Sequence, residues 1–265
     1  MSGRRARQGR SVGERSVYAR QVGLLSGIKV PGGYTVRLAR PGEGADVARL
    51  ARLAGVDVEL DDAEAQAVDD GLAGAIATRV LQDGDHGLRA LAEHWVHGLM
   101  QVALASMAPV VATHPDHPGP VGLCLTGMPG NVVANAVNAG VGEQPVMLLT
   151  MQLGRLRAVA VDPGHRGAGL GTAMLAQAAM LATARNGDLY GQIERPELAD
   201  WYAARGFRVL PPGHGLDMAW LIDVPLVVFP GNRQERIVIR TPQPGRRLFV
   251  VDPSRECRAH AWLRP

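Results

Sequence analysis

The feature that most constrains this chain lies between residues 156 and 185. An apolar run from Leu156 to Val161 reads as a strand, and Asp162-Pro163-Gly164 stops it. Arg166-Gly167-Ala168-Gly169-Leu170-Gly171 follows, and a helix over residues 169–185 then starts at once, with Leu170, Met174, Leu175, Ala178, Leu181 and Ala182 on its inner face. Asn186-Gly187 is a left-handed stop for it. A strand that turns through glycines into a helix has two physical uses. Main-chain N–H groups with no side chains in the way can converge on the oxygens of a diphosphate, helped by the helix dipole. The same glycines can also serve only to pack a helix tightly on a sheet, and taken alone they do not separate the two.

Spacing narrows the phosphate ligands. A P-loop ends in Gly-Lys-Ser/Thr, and Gly171-Thr172 lacks the lysine. A dinucleotide fingerprint needs a third glycine where Thr172 stands, although Glu194 lies near the distance of its ribose-binding acid. Arg-x-x-Gly-x-Gly is met without strain by Arg166, Gly169 and Gly171, behind Val159-Ala160-Val161-Asp162-Pro163. Further on stand a strand over 189–193, a short helix opened by Pro196, and Trp201-Tyr202-Ala203-Ala204-Arg205-Gly206-Phe207 before a strand over 207–210. These two motifs, about thirty residues apart, resemble the GCN5-related N-acetyltransferase (GNAT) family over residues 156–210. The second is similar to that family's Tyr-x-x-x-Gly-Phe segment.

The resemblance implies an α/β fold of layered α+β type: a mixed, mostly antiparallel central sheet flanked by helices, with a splayed central strand pair. It implies acetyl-CoA as co-substrate. The diphosphate would lie on Arg166, Gly167, Ala168, Gly169, Leu170 and Gly171, with Thr172 adding a hydroxyl. Val159, Ala160 and Val161 would meet the pantetheine arm, and the Val159 N–H would face the developing oxyanion. No metal and no covalent enzyme intermediate are implied. An acceptor amine would attack the thioester directly, so proximity and oxyanion stabilisation would carry the rate. Tyr202 is the candidate general acid for the departing thiolate. The acceptor is a small-molecule or peptide amine. The chain departs from the family at Arg195, where relatives often carry asparagine. The strand before the phosphate turn offers Gln152, Arg155 and Arg157 rather than a carboxylate base. Glu143, His114 and His117 stand further off, and a water chain is another route for the proton.

Elsewhere the patterns are plainer. Residues 1–30 read as a basic tail, with order beginning near Tyr34; 31–228 form the acyltransferase domain; and 229–265 form an extension whose stretches 237–239 and 248–251 read as an added hairpin or an oligomer contact. Strands are expected over 34–38, 108–113, 121–126, 145–153, 156–161 and 218–224. Helices are expected over 45–54, 62–81 and 86–106, with Asp61 or Asp62 as a cap for the second. Residues 129–144, rich in Gly, Asn and Val, read as a loop. From Asp57 to Asp70 the charges are all acidic, which suits solvated helix starts or a rim that attracts a cationic amine. His94 and His97 are a solvent-facing pair with no third metal ligand placed by sequence, His86 stands nearby, and Trp95 reads as core.

Composition bounds the rest. The net charge of +3 is misleading, because the first twenty residues carry six arginines against Glu14, leaving −2 for the remainder. Lys29 is the only lysine. Such a tail reads as solvated rather than as a nucleic-acid arm. No apolar run approaches the ~20 residues of a membrane-spanning helix, so no membrane is expected. No apolar run follows the early arginines, so no leader peptide is read there. Two cysteines, Cys124 and Cys257, make no disulfide framework, which points to a cytoplasmic protein and leaves a homodimer open. Two other function classes stay in view: a non-catalytic acyl-CoA-binding regulatory module on the same fold, and a nucleotide-dependent oxidoreductase.

Overall fold

The structure is a computed structural model that describes residues 23–55, 60–83, 93–185, 187–223, 226–243 and 247–254. Among the described residues eleven strands run in chain order as β1 (Ile28–Lys29), β2 (Thr35–Leu38), β3 (Ala108–Thr113), β4 (Pro120–Gly127), β5 (Leu153–Val161), β6 (Asp188–Ile193), β7 (Arg208–Val209), β8 (Gly215–Asp217), β9 (Val227–Val228), β10 (Arg236–Arg240) and β11 (Phe249–Val251). Eight of them form one sheet in the order β1-β2-β3-β4-β5-β6-β10-β7, and β11-β8-β9 form a second. Every pairing is antiparallel except β5 with β6. That parallel pair needs a crossover, which the helix after the glycine turn supplies.

The helices are α1 (Gly44–Ala54), α2 (Asp62–Asp69), α3 (Ala75–Asp83), α4 (Leu99–Ser106), α5 (Gly130–Asn138), α6 (Glu143–Gln152), α7 (Leu170–Ala184), α8 (Leu198–Ala203) and α9 (Ala219–Ile222). On one face of the sheet α7 packs Leu170, Met174, Leu175 and Ala178 against Val110, Cys124, Leu156 and Val238. On the other, α1 and α2 set Val47, Leu50 and Val68 against Val111, Leu123 and Leu125. Beside them α5, α6 and α9 cover Leu153, Tyr190, Ile237 and Ile239. Tyr190 and Leu189 enter opposite cores because strand side chains alternate.

The splay has a local cause. Leu156 of β5 faces Thr126 of β4, but Leu125 faces Ala158, so Arg157 is an extra, bulged residue. A bulge bends its strand and tightens the twist. Leu153–Leu156 pair with β6, whereas from Arg157 onward β5 follows β4 alone. The far end of β6 is held instead by β10, with Ile193 opposite Arg236. A wedge-shaped gap opens between the two strands.

Several expectations are corrected. The helix expected over 62–81 is two helices, because Gly71 and Gly74 adopt φ of +72° and +82° between α2 and α3. Asp61 does cap α2, in a reciprocal pair with Glu64. The helix expected over 86–106 is interrupted at Gly98, φ +95°; its stretch 86–92, with His86, lies outside the described residues. The loop expected over 129–144 holds α5, whose Val132, Val133 and Ala136 are buried at helical spacing. The strand expected over 145–153 is mostly α6, with Pro145 in its first turn, where a missing N–H costs nothing. In the stretch expected as a strand from Met218, α9 forms instead; the Asp217 carboxylate accepts the Ala219 N–H at 2.9 Å. Residues 237–239 and 248–251 make no hairpin together: β10 sits inside the main sheet and β11 pairs with β8. Order also begins before Tyr34, since Leu24 is fully buried and β1 pairs with β2. Residues 1–22 and Cys257 lie outside the described residues.

Candidate active site

The glycine turn stands open to solvent. Residues 166–169 and Thr172 are exposed, and a Cβ added at Gly167 or Gly169, φ +83° and +76°, would meet nothing within 4 Å. Among the described residues the main-chain amides of 167–172 have no backbone acceptor, and the α7 ladder begins with the Ala173 N–H on the Gly169 carbonyl at 3.0 Å. A helix start leaves such donors free and electropositive. Gly171 is the point of close approach: a Cβ there would lie 3.6 Å from both Trp201 and Val159. Arg166 is tied to the strand it follows, its Nε donating to the Val161 carbonyl at 3.0 Å.

The phase of β5 decides which groups face the gap. The Asp162 N–H donates to the Val121 carbonyl at 2.9 Å. Main-chain groups alternate in direction along an antiparallel pair, so Ala160 and Ala158 also face β4. Val159 and Val161 therefore turn their N–H and C=O toward the open edge. Of the three residues singled out in this strand, Ala160 is the one whose main chain points away from the gap.

Tyr202 on α8 is 7% exposed and lies edge-on to Phe207 and Trp201, with ring centroids 5.5 and 4.8 Å away. It shares a core with Leu156, Leu170 and Cys124. Burial, and secondarily the Cys124 sulfur, push its phenol above the ordinary tyrosine value. Cys124 stands opposite Val159 in the β4–β5 ladder. Burial pushes the Cys124 thiol up to about 12.

On the opposite face a cleft of about 460 Å³ reaches the gap at Leu156 and Gln192, and is also lined by Glu64, Arg155, Arg157, Glu194 and Glu235. Glu64 is held bidentately by Arg157, with Nη2 to Oε2 at 3.0 Å. The Asn232 side chain donates to Glu235 at 2.5 Å. Among the described acids of 57–70, only Glu64 lines this cleft. Asp61 caps α2, Asp69 accepts the Gly44 N–H at 2.7 Å, and Asp70 accepts from Gln66 at 2.8 Å. Local and tertiary hydrogen bonding accounts for them without a cationic ligand.

The other base candidates lie elsewhere. Glu143 accepts from the half-buried Trp95 Nε1 at 3.0 Å. His114 and His117 cluster with Tyr34 and His165, whose Nδ1 is 3.0 Å from the Tyr34 hydroxyl, and neither lines the cleft. Arg195 is exposed. His94 and His97 join no group of three metal-ligating side chains among the described residues. No helix among those residues is long and apolar enough to cross a membrane.

One residue at the turn escaped the sequence reading. Arg205 donates from Nε and Nη2 to the Thr172 hydroxyl oxygen at 2.9 and 2.7 Å and from Nη1 to the Trp201 carbonyl at 2.6 Å, with its guanidinium 4.0 Å from the Trp201 ring centroid. The i, i+4 spacing of Trp201 in the last turn of a helix and Arg205 in the turn after it is the signal that could have paired them.

A search of curated protein sequences returned no match to the chain. Among solved structures, a GNAT-family acetyltransferase from Staphylococcus aureus aligns at 12% identity with a TM-score of 0.41, covering 79% of this chain and 99% of that one. The ribosomal-protein-S18-alanine N-acetyltransferase from Escherichia coli aligns at 11% identity and 0.41, covering 82% and 99%. N-acetylglutamate synthase from Neisseria gonorrhoeae aligns at 14% and 0.39, covering 82% of this chain and 37% of its own. Residues 129–209, which span α5 to β7, match the family model described as acetyltransferase (GNAT) domain. The bulged β5, the open glycine turn and the tyrosine helix all fall within that match.

Proposed function

We propose that this protein transfers an acetyl group from acetyl-CoA directly to an amine. The observation that carries the reading is the meeting of two free sets of main-chain donors: the amides of 167–172 and the unpaired edge of β5 at Val159. The first set suits a diphosphate and the second an extended amide-bearing arm, and the gap between β5 and β6 leads from one face of the sheet to the other.

In this reading the acceptor enters by the cleft and its neutral nitrogen attacks the thioester carbonyl. The Val159 N–H donates to the oxygen as it gains charge. The tetrahedral centre then collapses, the C–S bond breaks, and Tyr202 protonates the leaving sulfur. A raised phenol is a weaker acid than a free one, but a thiolate leaving into the same apolar surroundings is itself a stronger base, so the two remain matched. Glu194 takes the proton lost by nitrogen. It lines the cleft and, unlike Glu64 and Glu235, has no hydrogen bond to another described residue.

Acetyl-CoA turnover against a mixed library of amines, amino acids and peptides, with the products identified by mass, tests the reading. Acetylated product is the expected result. Coenzyme A binding without turnover on any acceptor would leave a binding module instead, and absence of coenzyme A binding would overturn both.

A further inference from the structure

The Arg205 guanidinium is held at four points before any ligand arrives. Two N–H groups lie on the Thr172 oxygen, one on the Trp201 carbonyl, and the indole ring lies under its face. All these partners are neutral, and no carboxylate pairs with Arg205 among the described residues. Thr172 is the third residue of α7, so the cation stands beside the positive end of a fifteen-residue helix. Arg166, which opens the same glycine turn, is also without a carboxylate partner among the described residues, its Nε on the Val161 carbonyl. A cation held beside an electropositive helix end is favoured there when an anion is bound at that end. A guanidinium spared for solvent contact has no need of an indole platform and three hydrogen bonds.

We infer that Arg205 is a diphosphate-binding residue, kept in place by Trp201 and Thr172 beside the start of α7. The inference rests on the coenzyme A reading above. Thr172 then has a double task. Its oxygen accepts from Arg205, which leaves its own O–H to donate to a phosphate oxygen. Because Trp201 precedes Tyr202 on α8, the helix that positions the proton donor also positions the phosphate clamp.

The test is calorimetric titration of the full chain with coenzyme A, dephospho-coenzyme A and pantetheine, at low and high NaCl. Arg205→Met keeps the aliphatic stem over Trp201 and removes the charge. It is expected to weaken coenzyme A binding about tenfold, the scale of one charge-assisted hydrogen bond. Arg205→Lys should recover part of the loss, and the salt dependence should be shallower in Arg205→Met than in the unaltered protein. Dephospho-coenzyme A should show the same loss and pantetheine none. Equal coenzyme A affinity in all three proteins overturns the inference while the acetyltransferase reading stands. A loss confined to coenzyme A and absent with dephospho-coenzyme A overturns the diphosphate assignment in favour of the 3′-phosphate. A loss shared by pantetheine reduces Arg205 to a structural role. If the unaltered protein binds no coenzyme A, it is the functional reading itself that fails. Should Arg205→Met not fold, Arg205→Lys against the unaltered protein, across the same three ligands, decides the matter.

Discussion

Arg157, the residue by which β5 exceeds β4 at the bulge, closes on both carboxylate oxygens of Glu64 in α2, a partner 93 positions earlier in the chain. The bulge that opens the sheet is thereby anchored to the helix that walls the cleft. Both side chains are about one-fifth exposed, so the pair is worth more than a surface ion pair and less than a fully buried one. Arg157→Met is expected to lower stability by about 1–2 kcal/mol in urea unfolding. A double-mutant cycle with Glu64→Gln should return a coupling of about 1 kcal/mol. Strictly additive losses would show that the two residues do not hold each other.

Tyr202→Phe isolates the proposed proton donor. The ring keeps its edge-on contacts with Trp201 and Phe207, so coenzyme A affinity and thermal stability should change little. Acetyl transfer should fall about a hundredfold in kcat. Because the phenol is raised, the unaltered enzyme should keep its donor protonated throughout the neutral range and lose rate from this group only well above the ordinary tyrosine value. A kcat for Tyr202→Phe equal to that of the unaltered enzyme would remove Tyr202 from the chemistry.

Gly169 separates backbone strain from steric block. Its φ of +76° is costly for any residue with a Cβ, yet nothing lies within 4 Å of where that Cβ would be. Gly169→Ala should therefore cost about 1–2 kcal/mol of stability through the backbone alone, or shift the turn to relieve it. Either outcome should weaken coenzyme A binding, read by titration. Unchanged affinity would mean that the turn's amides are not the phosphate ligands.

Cys124 should be chemically silent. Its thiol is fully buried and pushed up to about 12, so almost no thiolate exists at neutral pH. A chromogenic disulfide reagent should leave it unmodified in the native protein and modify it after unfolding in guanidinium, with peptide mapping to distinguish it from Cys257. Rapid native labelling of Cys124 would contradict its place in the core.

Glu43 links folding to acid. Burial alone would raise its carboxyl, but hydrogen bonds from Arg37 and from the Arg40 amide outweigh that and hold it below the ordinary value. A carboxyl lowered on folding contributes stability above its unfolded value, and that contribution is lost as pH falls through the folded one. Glu43→Gln leaves the buried Arg37 without its counter-charge and should cost about 2 kcal/mol at pH 7. The gap between the two proteins should narrow in urea titrations below about pH 4. A gap constant across that range would show that the ionised carboxylate is not the stabilising form.

What the linear chain determined is local. The order of strand, glycine turn and helix over 156–185 is written in adjacent residues, as are the Tyr-x-x-x-Gly-Phe segment and a cap at Asp61 or Asp62, of which the structure uses Asp61. Each depends on dihedral preferences and hydrogen bonds among near neighbours, so each was legible without the fold. Tertiary structure decided what depends on partners distant in sequence. The apolar stretch 145–153 satisfies a strand or a helix equally by composition, and packing against Leu216 and Ile222 in the core below β6 and β10 resolves it as α6. The bulge at Arg157 has no signature of its own, because it exists only as a mismatch between two strands. The acids of 57–70 form an electrostatic rim on paper, but folding engages most of the described ones in caps and cross-links and leaves Glu64 to face the cleft. Arg205 is an unremarked cation in a helix tail until the chain brings Thr172, 33 residues earlier, beneath it. A charge has meaning only through what surrounds it, and those surroundings are set by the fold.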